Sequence, residues 1–177
     1  TDFDYTADGT RIMRTDPDGT TTLYLPGMEV VQHPDGTATA SRYYSHGGQQ
    51  IAIRTNDDQV HWLAGDHQGT STAVVNATTH QTQIRYFDLY GNERGTPAAT
   101  WVDDHGFLGG TQDPSGLTHL GAREYDPTLG SFISADPILD PADAQQIGGY
   151  NYANYSPVSF ADPSGLYITS SDGYNGE

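Results

Sequence analysis

The sequence contains neither cysteine nor lysine, and each absence removes whole classes of function. Without thiols the chain has no disulfide bonds, no cysteine-ligated metal site and no thiolate nucleophile. The seven basic residues are all arginine and stand against 23 acidic residues, which gives a formal net charge of -16. Because a surface this acidic repels phosphate backbones, we expect no nucleic-acid partner for this segment.

Long apolar runs are missing as well. No stretch approaches the roughly 20 consecutive apolar residues that a membrane span requires, so we expect no membrane-spanning segment. The 177 residues amount to one domain or to a piece of a larger assembly. The seven histidines lack ligand spacing such as H-x-x-x-H, and a site joining Asp66 and His67 with 103–105 would depend entirely on the fold. We therefore expect no metal and no cofactor.

Glycine and tyrosine are abundant, with 21 and 12 residues. Asp-Gly pairs stand at 8–9, 18–19 and 35–36, and both residues of such a pair tolerate the positive φ that tight hairpin turns require. Short, partly alternating segments lie around them, at 10–15, 20–25, 28–32, 42–44 and 50–55. This pattern predicts a meander of short antiparallel strands without helix.

Repeats and one helix complete the expected architecture. Segments 3–11 and 85–92 each carry an aromatic-Asp step followed by a glycine turn, and 42–48 is a weaker copy. Repeated hairpins predict a sheet that grows by stacking. The single helix expected is at 140–148, where Asp140 suits the N-cap, a proline follows at the first helical position and a glycine ends the segment.

The densest group of motifs runs from 121 to 166. Segment 121–138, GAREYDPTLGSFISADPI, resembles the R-x-Y-D-P-x-x-G-R-F-x-x-x-D-P signature of the Rhs-repeat-associated core domain, with Ser131 where arginine is usual. Segment 151–166 is similar to the closing N-x-Y-x-Y-x-x-N-x-P and D-P-x-G-L motifs of that domain, and WLAGDHQGTS at 62–71 resembles the end of YD-repeat arrays. The chain thus resembles the Rhs-type and teneurin-like YD-repeat proteins over nearly its whole length.

The resemblance implies a mainly β fold. Antiparallel YD-repeat hairpins at 1–105 would form part of a spiral β-shell, closed by an irregular core-domain plug with one short helix at 106–166. As part of a longer spiral, the strands near residues 1–25 would expose an unpaired sheet edge. In this family the shell wraps a C-terminal toxin, and the plug cuts its own chain after D-P-x-G-L. Cleavage here would separate Leu166 from Tyr167 and leave 167–177 as the start of the passenger. The implied partners are that passenger and the rest of the shell, in a bacterial protein that is secreted or cell-surface associated.

The resemblance also implies an aspartyl-type autoprotease. Asp136 and Asp162 match the catalytic aspartates of the family, and Arg123 matches its assisting arginine. Two adjacent aspartates share a proton, so one can act as base toward water and the other as acid toward the carbonyl. Arg123 would hold one carboxylate ionised by a bidentate contact. Gly165 suits a close backbone approach to the pair, and Pro163 sets the bend in advance.

Ordinary explanations compete with this hypothesis. Asp-Pro occurs six times and is common turn chemistry, and DPSGL appears also at 113–117, so the pentapeptide alone is insufficient. We expect Asp126 to form a turn, and Arg123 suits a structural ion pair as well as a catalytic one. The alternatives are a shell that encapsulates or adheres without cleaving, and a tyrosine-lined glycan-binding module. We expect the tyrosines to pack inside the shell instead: 86, 90, 125, 150, 152 and 155.

Overall fold

The computed structural model describes residues 1–7, 9–96, 100–138 and 148–170. In these ranges the regular structure is almost entirely strand, which confirms the predicted mainly β fold. The expected helix falls on residues outside the described ranges, apart from its last position, Gly148. Short 3-10 turns occur at Phe107–Gly109 and Ala153–Tyr155. No helix in the described part of the chain is long and apolar enough to cross a membrane.

Seventeen strands occur in the described ranges. They are β1 Asp2–Tyr5, β2 Arg11–Thr15, β3 Thr21–Leu25, β4 Met28–Gln32, β5 Ala38–His46, β6 Gln49–Arg54, β7 Val60–Gly65, β8 Ser71–Asn76, β9 Thr82–Ile84, β10 Tyr86–Phe87, β11 Glu93–Arg94, β12 Thr111–Gln112, β13 Thr118–Leu120, β14 Arg123–Asp126, β15 Ser131–Phe132, β16 Phe160–Ala161 and β17 Thr169–Ser170.

Strands β1 to β9 form one sheet in sequence order, as the meander prediction requires. The pairings from β1 to β7 are antiparallel. Strand β4 coincides with the predicted segment 28–32, whereas β5 is longer than the predicted 42–44. An unpaired edge is expected near residues 1–25. Of the three strands in that range, β1 alone stands at the end of the strand order, whereas β2 and β3 each have a neighbour on both sides.

Most hairpin loops share one five-residue design. In 16–20 the first N–H donates to the fifth carbonyl at 2.8 Å, and the fourth N–H donates to the first carbonyl at 2.9 Å. The same two backbone bonds recur in other loops, at 6–10, 33–37, 55–59, 66–70, 88–92, 106–110 and 113–117. The turn residues that recur along the sequence therefore mark the successive copies of this loop.

The predicted geometry of the Asp-Gly pairs is only half right. Gly19 and Gly36 have φ of 88° and 84°, but Asp18 and Asp35 are not in the positive-φ region. Each aspartate instead accepts a hydrogen bond on Oδ1 from the N–H two residues later, at 2.9 Å in both loops. Aspartate here stabilises the turn through its side chain, so only the glycine needs the left-handed conformation.

The described chain divides into two compact units. The first comprises Thr1–Ala64 and Val74–Gln83, and the second comprises Gly65–Ala73 and the residues from Ile84 onward. The second unit contains the sheet β12-β13-β14-β15 and the pairs β10-β11 and β16-β17. Its core is a cluster of buried aromatic and aliphatic side chains, in which the rings of Tyr125 and Tyr152 have centroids 4.9 Å apart.

The tyrosines are split between core and surface. Tyr125 and Tyr152 are fully buried, and Tyr90 packs against their cluster, as expected. The packing prediction is wrong for the other three, since Tyr86, Tyr150 and Tyr155 are 64%, 50% and 69% exposed. Packing in the core requires a neighbouring layer, and within the described residues Tyr86 lies on a strand of only two residues.

Candidate active site

Arg123 is the centre of the candidate site. It is the first residue of β14, paired with Leu120 of β13, and its side chain is only 2% exposed. Its Cζ lies 3.6 Å from the centroid of the Phe132 ring, which gives a cation–π contact. A buried cation is costly unless carboxylates and carbonyls surround it. The sheet and the aromatic core thus fix a positive charge inside the second unit.

Two aspartates meet this cation at one nitrogen. Nη2 of Arg123 lies 2.9 Å from Oδ2 of Asp162 and 3.1 Å from Oδ2 of Asp136. The structure thus brings together the three side chains that the sequence resemblance singled out. The arginine also donates from Nε to the carbonyl of Gly165 and from Nη1 to that of Gly149 at 3.4 Å. One guanidinium serves two carboxylates, so the cluster is short of positive charge.

Asp162 occupies the first position of the loop 162–166 and is 1% exposed. Its Oδ1 accepts hydrogen bonds from the Leu166 N–H and the Ser164 hydroxyl, both at 3.1 Å. Burial raises the pKa of Asp162, although Arg123 and these hydrogen bonds oppose the rise. The environment therefore favours the protonated acid more than an exposed aspartate would.

Asp136 has a more open environment. Its side chain is 17% exposed, against 2% for Asp162. Oδ1 of Asp136 accepts from the Ile138 N–H at 2.8 Å, and its own N–H donates to the Gly149 carbonyl at 2.6 Å. The two carboxylates that share Arg123 thus differ in their access to solvent, which is the asymmetry that an acid and a base acting together need.

A cavity of about 300 Å³ opens beside these groups. Arg123, Asp136 and Asp162 line it together with Leu166 and Tyr167. The amide nitrogens of Leu166 and Tyr167 both donate to Oγ of Ser164, at 3.2 and 3.0 Å. The predicted scissile peptide therefore lies at the wall of the same cavity as the predicted dyad.

Two glycines allow the loop 162–166 to dock closely on the β13–β14 turn. Gly165 has φ of +66°, and a Cβ there would collide with the carbonyl oxygen of Leu120. Gly121 has φ of +54°, and a Cβ there would collide with the carbonyl of Ser164. The Ala122 N–H completes the contact by donating to the same Ser164 carbonyl at 2.9 Å. The close approach expected of Gly165 is thus made to β13 and β14.

Pro163 lies in a turn, and Asp126, the last residue of β14, caps the turn that follows the strand, as expected. Pro163 is an exposed residue of the 162–166 loop. Asp126 accepts the N–H of Thr128 at 2.8 Å and takes no part in the cavity lining. The metal alternative is not assembled within the described residues, because Asp66 and His67 join no group of candidate ligands with 103–105. Asp66 instead caps its own hairpin loop by accepting from the N–H of Thr70 at 3.0 Å.

Sequence reasoning missed Ser164 and a strained turn. The signal for Ser164 was available, because a serine in a turn reaches backbone N–H groups two or three residues later. The turn Ala153–Tyr155 has φ of 51°, 50° and 57° at its three residues, and Asn154 lines the cavity. Left-handed conformations of this kind cost roughly 1–2 kcal/mol per residue, and asparagine alone among the three residue types of this turn favours them.

Comparison with known proteins gives a consistent result. The teneurin YD-shell family model matches residues 3–158. The tRNA3(Ser)-specific nuclease WapA of Bacillus spizizenii is 28% identical over 177 residues, covering 94% of this chain and 7% of WapA. Human teneurin-4 is 25% identical over 134 residues, covering 73% of this chain and 5% of the teneurin. The chain therefore spans less than a tenth of the length of these relatives.

A solved structure shares the fold. The crystal structure of TcdB2-TccC3-Cdc42 superposes with a TM-score of 0.77 at 20% identity, covering 93% of this chain and 9% of that one. The expected absence of a nucleic-acid partner gains no support from the relatives, because WapA is by name a tRNA nuclease. The acidity that motivated that expectation is a property of this segment, which matches only 7% of WapA.

Proposed function

Because the chain belongs to the teneurin YD-shell family of Rhs/YD-repeat proteins, we propose that it closes a toxin-encapsulating shell and cuts its own backbone between Leu166 and Tyr167. The cut would separate a C-terminal effector from the shell. Relatives that include a WapA nuclease support the toxin context. The proposed parts are a hairpin shell at 1–105, the autoprotease core at 106–166 and the start of the passenger at 167–177.

The observation that carries this proposal is the contact of both aspartates with one arginine nitrogen. Asp136 and Asp162 lie 3.1 and 2.9 Å from Nη2 of Arg123. Burial raises the pKa of Asp162, so this member of the pair favours the protonated acid more than an exposed aspartate does. Leu166 and Tyr167 line the same cavity. Two aspartates of different exposure beside a peptide bond are the arrangement that aspartyl hydrolysis uses.

The roles follow from the environments of the two acids. Asp136, which is the more exposed, takes the proton of the attacking water as general base. Asp162, whose pKa is raised by burial, holds the shared proton and donates it to the scissile peptide. Arg123 stabilises the ionised partner and fixes both side chains. Because the substrate is part of the same chain, proximity replaces substrate affinity and the reaction is a single turnover.

The partners and the location belong to the same proposal. The effector that follows Leu166 and the remainder of the shell are the proposed partners, since the chain spans only 7% of its WapA relative. We propose a bacterial protein that is secreted or surface associated. The relatives' context supports this location, and within the described residues no membrane-crossing helix argues against it.

Intact mass measured under denaturing conditions tests the cleavage. The wild-type chain is expected to lose the eleven-residue peptide 167–177, and Asp136→Asn is expected to remain whole. Asp126→Asn is the matched control, because Asp126 also precedes a proline but only caps an exposed turn. It should be cut at the wild-type rate. A folded wild-type chain that stays intact would contradict the proposal.

A shell segment without chemistry is the second candidate, and one observation favours it. Oδ1 of Asp162 accepts a hydrogen bond from the N–H at the fifth position of its loop. Asp66 and Asp88 accept the equivalent hydrogen bond in their own loops, in both cases at 3.0 Å. Asp162 therefore has a structural role whether or not it is catalytic. On this reading Asp162→Asn lowers the melting temperature while the wild-type chain is never cut.

A further inference from the structure

We propose, resting on the self-cleavage inferred above, that the hydroxyl of Ser164 relays a proton from Asp162 to the leaving nitrogen of Tyr167. Ser164 stands inside the loop that ends at the scissile bond. Peptide hydrolysis needs a proton on that nitrogen, because an unprotonated amide nitrogen is a very poor leaving group. The relay would make Ser164 a third catalytic residue beside the two aspartates.

The contacts form a continuous path. Oγ of Ser164 lies 3.1 Å from Oδ1 of Asp162 and 3.0 Å from the amide nitrogen of Tyr167. In the resting geometry the hydroxyl donates to the carboxylate, and the Tyr167 N–H donates to the hydroxyl oxygen. A hydroxyl both donates and accepts, so it can pass one proton on as it receives another. The described contacts thus connect the buried acid to the leaving group through one side chain.

Arg123 determines which oxygen of Asp162 serves the relay. Oδ2 is occupied by Nη2 of the arginine at 2.9 Å, and Oδ1 is the oxygen that faces Ser164. A proton on Oδ2 would compete with the guanidinium, whereas a proton on Oδ1 has an acceptor in the serine oxygen. The arginine therefore directs the acid proton toward the scissile peptide.

The step balances without any further reactant. The water oxygen bonds to the carbonyl carbon of Leu166, and the proton that it loses goes to Asp136. As the tetrahedral species collapses, the C–N bond breaks and the nitrogen of Tyr167 takes the hydroxyl proton of Ser164. Asp162 replaces that proton. The products are a carboxylic acid on Leu166, a free amine on Tyr167, a protonated Asp136 and an ionised Asp162.

The backbone fixes the position of the hydroxyl. The Ser164 carbonyl accepts the Ala122 N–H at 2.9 Å, and the following Gly165 is pressed against β13 and β14. The other DPSGL loop has a serine at the same position, Ser115, whose Oγ accepts the N–H of Leu117 at 3.4 Å. Ser115 lies in a hairpin between β12 and β13, so it provides the same residue in the same motif away from the dyad.

The test compares Ser164→Ala with Ser115→Ala, following cleavage by intact mass under denaturing conditions. Loss of one general acid–base step slows a reaction by roughly 10²–10⁴-fold, so Ser164→Ala should be slower than wild type by a factor in that range. Ser115→Ala should be cut at the wild-type rate. Ser164→Thr retains a hydroxyl and is expected to restore most of the rate lost in the alanine variant.

A solvent isotope measurement on the wild-type chain adds a readout that a structural role would not change. Two protons in motion through Ser164 predict a curved dependence of the rate on the fraction of D₂O, and Ser164→Ala should lose the curvature. A linear dependence in the wild type would overturn the relay, and it needs no variant to fold.

The possible outcomes distinguish failure of the Ser164 relay from failure of the self-cleavage on which it rests. An uncut wild-type chain overturns both the self-cleavage and the relay. A wild-type chain that is cut, with Ser164→Ala cut equally fast, overturns the relay alone and leaves the aspartyl dyad standing. A threonine variant as slow as the alanine variant, with both melting at the wild-type temperature, would also overturn it.

Discussion

The pentapeptide DPSGL occurs twice in the second unit, at 113–117 and at 162–166, and the two copies make different contacts. The first copy joins β12 to β13 through the two backbone bonds of the common five-residue loop. In the second, the fifth N–H donates to the side chain of Asp162. Asp162 also accepts a hydrogen bond from Arg123. Identical residues therefore form a plain hairpin in one place and a candidate active site in the other.

The surroundings of the glycine explain this difference best. A Cβ on Gly116 would meet no atom within 4 Å, whereas a Cβ on Gly165 would collide with β13 and β14. Both aspartates are buried, at 5% for Asp113 and 1% for Asp162, so burial alone does not distinguish the copies. The contacts that the motif makes therefore depend on the surface on which its loop docks.

The largest contrast is expected from the aspartates. Asp162→Asn removes the proposed acid and should slow cleavage by roughly 10²–10⁴-fold or more, because an amide cannot give up a proton to the leaving group. Asp113→Asn changes the same residue in the hairpin copy and should leave the rate within about twofold of wild type in a folded sample, since general acid catalysis is untouched. Equal loss of cleavage in both variants, by intact mass, would erase the distinction between the copies.

The glycines should separate the copies by stability. Alanine in the left-handed region costs roughly 1–2 kcal/mol of folding free energy. Gly116→Ala should lose this amount and no more, because the added Cβ meets no other atom. Gly165→Ala adds overpacking against the Leu120 carbonyl, worth a further 1–3 kcal/mol or so. At about 2–4 °C per kcal/mol for a chain of this size, thermal unfolding by circular dichroism should show the larger drop for Gly165→Ala. Similar drops would mean that the docking contact is weak.

The pH dependence of cleavage sharpens the comparison further. Burial raises the pKa of Asp162 above the ordinary value of about 3.9, so the protonated acid persists to higher pH than in an exposed aspartate. The rate should therefore fall as pH rises through that raised pKa, as Asp162 loses its proton. Ser115→Ala should show the same profile as wild type. A rate that climbs steadily with pH across the carboxyl range would contradict the assignment of Asp162 as acid.

The smallest effects are expected from the prolines. Pro163 and Pro114 are both exposed at the second position of their loops. Replacing either with alanine frees the unfolded chain and should cost about 0.4–1 kcal/mol, with similar shifts in the thermal midpoint for both. A much larger loss at Pro163 would show that the proline, and not only the glycine, distinguishes the two copies.

The residues that meet in the candidate site could be predicted from the sequence better than its backbone geometry. Arg123, Asp136 and Asp162 could be named in advance because rare residue types recur at fixed spacing within a known motif. The meander followed from turn residues, since glycine and aspartate report local backbone needs directly. The helix expected at 140–148 lies on residues outside the described ranges, and the division at 105 stays a prediction.

What could not be predicted depends on contacts between distant residues. The collision partner of Gly165 is Leu120, and nothing local to 165 indicates that a turn 45 positions earlier will press against it. The burial of Tyr125 and Tyr152, against the exposure of Tyr86, likewise depends on which strands gain a neighbouring layer. The left-handed turn at 153–155 is imposed by its surroundings at Ala153 and Tyr155, since asparagine alone among its three residue types adopts that conformation readily.

The strand pair β16-β17 has a mechanical consequence. It links Phe160 to Ser170 and Ala161 to Thr169, so the proposed cut between Leu166 and Tyr167 falls in the connection between two strands that stay hydrogen bonded. While that connection is whole, the strands are tethered and re-form their ladder at once. Cutting the connection would turn one hairpin into two separate chains joined by the β16-β17 pairing. Two strands of two residues each are marginally stable in water, so this pairing would hold the chains only weakly. If the chain is cut there, a modest pull on the residues after Leu166 would then be enough to draw them free.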